Sequence, residues 1–274
     1  MIWLAWRQQR LAALCAAGGV LVVMTSVAVL GVETAAFHSA VGHGSPALSQ
    51  ESLQAFWNAA WITLLALPLL AGLFLGAPLI AQDFEARTYR LAWTQGITRQ
   101  RWVTWKLAPP LVAIALGTAV LAGAIEPAIS TQWTGGQQWS VGEQWYWFDQ
   151  SGFALAAYVL FAVALGVLAG ALIGRTLLAM VVTGIAYVLT RAAIATFLRP
   201  NYMPPITAHP PEPFGAWTLT MGFTSPGQPD TAALLVYQPA DRFWTFQLIE
   251  AAIFVGLAIA LVAAAVVVVR RRTA

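Results

Sequence analysis

Six apolar runs of 20 to 26 residues leave this chain little choice of environment: Leu11–Val32, Phe56–Ala81, Leu107–Glu126, Gly152–Ile173, Leu177–Leu198 and Trp244–Val269. An α-helix rises 1.5 Å per residue, so each run can cross a hydrocarbon core of about 30 Å. Within lipid the backbone must satisfy its own N–H and C=O groups, and a helix does so. The expectation is an all-α integral membrane protein with six transmembrane helices. Only 9% of the residues are charged, against about 25% in a soluble domain. No repeat of fixed period and no low-complexity linker divides residues 1–274, which read as a single integral domain.

The first run follows Arg7 and Arg10. A cleaved signal peptide is the rival reading of such a start, but its apolar region is normally about 7–15 residues, so a retained span is favoured. Basic residues concentrate on the cytoplasmic side of membrane proteins. With the N-terminus inside, that side holds Arg7, Arg10, Arg87, Arg90, Arg99, Arg101, Lys106, Arg175, Arg270, Arg271 and Arg272, which is 11 of the 14 basic residues. Both termini are therefore expected in the cytoplasm. Arg191 falls within the fifth span, and Arg199 and Arg242 fall at the outer edge of the membrane, after the fifth span and before the sixth.

Three outer connections follow from this topology: residues 33–55, 127–151 and 199–243. The prolines of the last forbid a long helix and favour extended or turn structure. The second is crowded with Trp133, Trp139, Trp145, Tyr146, Trp147 and Phe148. A belt at headgroup depth is the plainer reading of these aromatics, and a ligand-stacking surface is the alternative.

Two spans carry small residues at helical spacing, Ala162, Gly166, Gly170 and Gly174 in one and Gly72 and Gly76 in another. Such faces allow close helix approach, within the subunit or between subunits. Pro68 and Pro78 should bend the second span, because each removes a backbone hydrogen bond and crowds the preceding turn.

Several chemistries are excluded by what the chain lacks. Neither HExxH nor GxSxG occurs, and His38, His43 and His209 offer no third ligand for a metal, so no catalytic or metal site is expected. Cys15 is the single cysteine, and the outer loops can hold no disulfide. The basic residues form no single patch of the kind nucleic acid requires. No GxxxxGK[ST] loop is present, so any ATP-driven work needs another polypeptide. Ionisable residues inside the membrane are retained for a task, and Arg191 and Glu250 are the pair to consider. Both lie roughly 9–10 Å from the outer end of their spans. An ion pair between them is expected, structural or along a substrate pathway.

The remaining polar stretch, Gln82–Lys106, reads QDFEARTYRLAWTQGITRQRWVTWK. Acidic Asp83 and Glu85 precede basic Arg87 and Arg90, an order that suits the dipole of a short helix. Phe84, Thr88 and Leu91 would share one face of it, with Tyr89 and Trp93 beside them. Gly96 can end that helix and Thr98 can cap a second, which carries Arg99, Arg101 and Lys106 toward the third span. Two short helices at the cytoplasmic surface are expected. They suit either anionic headgroups, with Trp93, Trp102 and Trp105 as anchors, or a docked protein.

An acidic residue after the second span, then a Thr, a hydrophobic helix, a turn, and an Arg leading to a Lys before the third span resemble the permeases of ABC-2 type exporters. The matching residues are Asp83, Glu85, Thr88, Leu91, Trp93, Thr94, Gly96, Arg99, Trp102 and Lys106. The run LAWTQGITRQRW is similar to the small permeases of that superfamily found in actinobacteria. Arg87 stands where that family usually has Gly. The resemblance implies a multi-pass protein of the cell membrane, paired with a second copy or a related permease. It also implies that a coupling helix within Gln82–Lys106 docks on an ABC ATPase subunit, present in two copies, which binds ATP and Mg. Residues expected to couple to it are Asp83, Glu85, Arg87, Thr88, Leu91, Trp93, Arg99, Arg101 and Lys106. The function implied is export of a hydrophobic or amphipathic drug, peptide or lipid. A sensor or immunity subunit that binds an antibiotic or peptide at its outer loops, without transport, is the alternative.

Overall fold

The computed structural model describes residues 29, 50–88, 98–133, 143–209, 215–223 and 233–271. The first apolar run, 11–32, lies outside them apart from position 29. Helix α1 spans Gln50–Ala71 and leads through a π-helical turn, Gly72–Gly76, into α2, Ala77–Glu85. Helix α3 spans Arg99–Trp133, and a short α4, Glu143–Tyr146, precedes α5, Gly152–Ile173. Helix α6, Thr176–Ala193, runs into a second π-turn, Ile194–Leu198, and a 3₁₀ turn, Arg199–Asn201. The last described element is α7, Phe243–Arg271. Among the described residues five helical segments are long and apolar enough to cross a membrane.

The π-turn lies between the two prolines of the second span: Pro68 stays inside α1, and Pro78 follows the turn in the first positions of α2. Neither proline has an N–H, and in an α-helix the Pro78 ring would press on the Phe74 carbonyl. Widening the turn removes that conflict, and the Ala77 N–H then reaches back five residues to the Gly72 carbonyl.

Helix α5 is the centre of the bundle. Two-thirds (67%) of its apolar window is buried, against 22% for the windows of α3, α6 and α7. It packs on α1, α2, α3, α6 and α7. The two small-residue faces meet each other here. A Cβ on Gly72 would sit 2.7 Å from the Ala162 carbonyl oxygen, and one on Gly166 would sit 2.5 Å from the Ala77 nitrogen. Backbones approach this closely only where side chains are absent. Of the two uses weighed for these faces, packing within the subunit is the one the structure contains. Gly174, at φ +69°, ends α5 in the left-handed conformation, and Arg175 alone separates it from α6.

Three expectations need correction. The third span is part of a longer helix, Arg99–Trp133, so helix extends beyond 107–126 at both ends. Of the two short surface helices, the first does not begin at Asp83 and the second is not separate from the third span, while residues 89–97 lie outside the described residues. The first would have begun near Asp83, yet α2 arrives from the membrane, ends at Glu85 and gives way to a turn through Thr88. The second is continuous with the third span.

The connection 199–243 departs from an all-α fold. It contains an antiparallel sheet of three strands, β1 Ile206–Ala208, β2 Trp217–Phe223 and β3 Ala233–Gln238, with β3 in the middle. Strand β2 covers one of the aromatics expected at headgroup depth, Trp145. Trp145 stacks on Trp217 of β2 at 5.1 Å and on Phe148 at 5.6 Å, and its indole N–H donates to the Gly215 carbonyl. Trp145, Trp147 and Phe148 are buried inside the protein, while Tyr146 is exposed.

Candidate functional site

Among the described residues, the ion pairs lie toward the two ends of the bundle. At the end carrying residues 82–88, Lys106 of α3 forms an ion pair with Asp83 of α2, and its ammonium lies 5.4 Å from the Trp102 ring centre. Asp83 also accepts a hydrogen bond from the Thr88 hydroxyl at 3.2 Å. Glu85 turns to a different helix. Its carboxylate accepts the Thr176 backbone N–H at 3.0 Å and the Thr176 hydroxyl at 2.7 Å, which caps the start of α6 from outside that helix. Phe84 packs into an apolar cluster with Ile80, Val103 and Leu107. The end of α2 is thereby fixed both to α3 and to α6.

Beyond Glu85 the chain turns outward. Arg87 takes a left-handed conformation, φ +56°, and its N–H donates to the Phe84 carbonyl at 3.3 Å. Glycine adopts this conformation at no steric cost, and here a long cationic side chain is carried in it. Arg87, Thr88 and Arg101 are exposed. Arg99 opens α3, and the Thr98 hydroxyl accepts the Arg101 N–H at 3.4 Å as a cap. Leu91 and Trp93 lie outside the described residues. Of the residues expected to couple to an ATPase, Asp83, Glu85 and Lys106 therefore make contacts within the subunit, and Arg87 and Arg101 face outward.

At the opposite end lies a charge cluster larger than the pair expected. Arg191 approaches Glu250 at 3.1 Å and Asp149 at 2.5 Å. Arg199 binds both Glu250 oxygens, Nε to Oε2 at 2.8 Å and Nη2 to Oε1 at 2.7 Å, and also reaches Asp149 at 2.8 Å. The Tyr158 hydroxyl donates to Glu250 at 2.7 Å, and the Tyr202 hydroxyl donates at 3.3 Å. Arg191 lies over the Tyr158 ring at 3.8 Å, and Arg199 lies over Phe148 at 4.5 Å. Glu250 is fully buried. Two guanidiniums and two carboxylates sum to zero charge, the condition under which such groups are tolerated away from water.

A helical irregularity brings the two arginines together. Eight residues along a regular α-helix leave Arg191 and Arg199 about 80° apart in azimuth. The π-turn Ile194–Leu198 takes up roughly one extra residue, about 100° of rotation, and returns Arg199 to the face of Arg191. Asp149 and Tyr202 flank the spans and respond to this setting. Burial pushes the Asp149 carboxyl up, but Arg191 and Arg199 outweigh it and hold the group below its ordinary value. Burial and the Glu250 carboxylate push the Tyr202 hydroxyl well above its ordinary value, so it remains a donor.

Gln247 of α7, buried beside this cluster, carries no distinguishing signal in the sequence. Its carbonyl accepts the Ala154 N–H at 2.8 Å, and its amide donates to the Phe148 carbonyl at 2.7 Å. It thus caps α5 from another helix. Among the described residues no group of three or more His, Cys, Asp and Glu could hold a metal ion.

Residues 9–199, more than half of the chain, match the family model described as ABC-2 membrane transporter related. No curated protein and no solved structure matches the chain.

Proposed function

The chain belongs to the ABC-2 membrane transporter related family, and from that membership we propose that it is the membrane subunit of an ATP-driven exporter. Membership supports a multi-pass permease subunit of an ABC transporter, which implies an ATPase partner. The finer reading has six spans in one integral domain, both termini in the cytoplasm of a cell membrane, and a second permease, identical or related. Two ATPase subunits supply ATP and Mg binding, and the cargo is hydrophobic or amphipathic, a drug, peptide or lipid.

The contacts of Asp83 and Glu85 carry this reading. A segment that transmits movement from a soluble subunit must be fastened to the helices it moves. Lys106 fastens the end of α2 to α3, and Thr176 fastens it to α6. A push on residues 82–106 would then reach three helices together. Arg87 and Arg101 project from the segment and suit carboxylates on a partner, each such surface pair adding about 0–1 kcal/mol.

Affinity purification from native membranes tests the proposal, using the wild type and the Arg87→Glu, Arg101→Glu double variant. Both substitutions are on exposed residues and spare the internal contacts. The wild type should bring down a P-loop ATPase that turns over ATP, and the variant should lose it. Retention by the variant would remove this surface from the coupling role. Wild-type permease free of any ATPase would replace the exporter reading with the sensor or immunity subunit.

A further inference from the structure

Around Glu250, two helices that do not pack side by side are joined chiefly by charge, with one ring contact, Tyr202 on Phe246 at 5.5 Å, beside the ion pairs. Helices α6 and α7 each pack along α5 rather than on one another. Across their outer ends run the bonds from Arg191 and Arg199 to Glu250, at 3.1, 2.8 and 2.7 Å. An apolar seam separates only by losing dispersion contacts along its whole length. A junction made of a few charged groups separates when those groups find other partners.

Other partners are already in place. Arg191 and Arg199 each contact Asp149 as well, at 2.5 and 2.8 Å, and Asp149 belongs to the turn that leads into α5. If Glu250 withdraws with α7, neither guanidinium is left bare. Tyr158 of α5 donates to Glu250 and also reaches Asp149, at 2.7 and 3.4 Å, so it too serves either arrangement. Arg199 sits on a single 3₁₀ turn after a π-turn, a short element that can move without displacing the length of α6.

We propose that Arg191, Arg199, Asp149 and Glu250 form a reversible latch between α6 and α7, which holds closed the end of the bundle opposite residues 82–106. Its role rests on the permease reading: with that end outside the cell, release of Glu250 is the step that opens the outward path. Ionisable groups at this depth are retained for a task, and a two-position latch is a task that a fixed apolar seam cannot perform.

The test uses the full chain in lipid nanodiscs, without an ATPase, so its outcome is separate from that of the purification above. Spin labels are placed at Phe197→Cys and Leu248→Cys, both exposed, in a Cys15→Ser background. The wild type should give one short distance between labels. Glu250→Gln, which keeps the shape and removes the charge, should add a second, longer distance in folded protein. Tyr202→Phe removes one 3.3 Å hydrogen bond to Glu250 and leaves both ion pairs, so it should add the same component in smaller proportion. Should Glu250→Gln fail to fold, Tyr202→Phe decides alone. Folded variants that keep the single wild-type distance and lose only thermal stability would overturn the latch and make the cluster a fixed brace.

Discussion

Glu85 and Thr176 are 91 residues apart in the chain, yet one carboxylate oxygen of Glu85 receives both the N–H and the hydroxyl of Thr176. The first turn of any helix leaves N–H groups without internal partners, and an anion there is favoured by the helix dipole. Arg175, in the N-cap position, provides no side-chain cap of its own, so Glu85 supplies it from another segment. Glu85→Lys should lower the melting temperature of the detergent-solubilised protein and weaken response to an ATPase partner. Glu85→Gln keeps an acceptor oxygen and should fall between wild type and the lysine variant. Equal melting temperatures for all three would show that the contact contributes nothing to holding α2 on α6.

The α5 crossing separates glycines that are required from glycines that are not. A Cβ on Gly76 would lie 2.5 Å from the Val163 carbonyl oxygen, whereas one on Gly117 or Gly256 would meet nothing within 4 Å. Overfilling a packed contact costs about 1–3 kcal/mol. Gly76→Ala and Gly166→Ala should each destabilise by that amount. Gly117→Ala and Gly256→Ala should be neutral or stabilising by up to about 1 kcal/mol, because Ala favours helix over Gly. Thermal unfolding in matched detergent compares the two pairs.

Gln247 offers a test inside the half of the bundle that holds Glu250. It occupies an N–H donor from Ala154 and a carbonyl acceptor from Phe148, both in buried surroundings. Gln247→Leu keeps the approximate volume and leaves both backbone groups unpaired, at about 1–3 kcal/mol for each. Gln247→Glu retains the acceptor for Ala154 and loses the donor to Phe148. The leucine variant should therefore show a marked loss of thermal stability. Hydrogen exchange should locate the loss at the start of α5, and protection there equal to wild type would count against the capping role.

How far the sequence speaks for itself differs between these sites. The membrane helices are legible because a run of 20 apolar residues has few other uses, and the small-residue faces are legible because four-residue spacing places them on one side. The proximity of Arg191 and Glu250 follows from their similar depth. Arg199 is missed because eight residues of regular helix would turn it away from Arg191, and nothing in the letters marks the π-turn that turns it back. Asp149 and Glu250 together do signal a need for two cations, a charge balance that the pair alone leaves unmet. Asp83 and Glu85 mislead because acids usually begin helices. Here they end one, held by Lys106 and Thr176 from elsewhere in the chain, so tertiary contact overrides the local preference. Trp145 reads as interfacial until β2 is seen to cover it.

Arg87 makes the clearest case in which stability and function should move in opposite directions. Its φ of +56° lies in the left-handed region, where a side chain costs roughly 1–2 kcal/mol. The turn retains its hydrogen bond from the Arg87 N–H to the Phe84 carbonyl, which needs no side chain. Arg87→Gly should therefore keep the turn and raise stability by about 1 kcal/mol, since glycine enters this region freely. The same change removes an exposed cation from the segment proposed to meet the ATPase, and its affinity for that partner should fall. Arg87→Ala removes the cation and keeps the strain, so it should match the glycine variant in binding and the wild type in stability. A glycine variant that melts below wild type would show that the arginine side chain itself supports the fold at this turn.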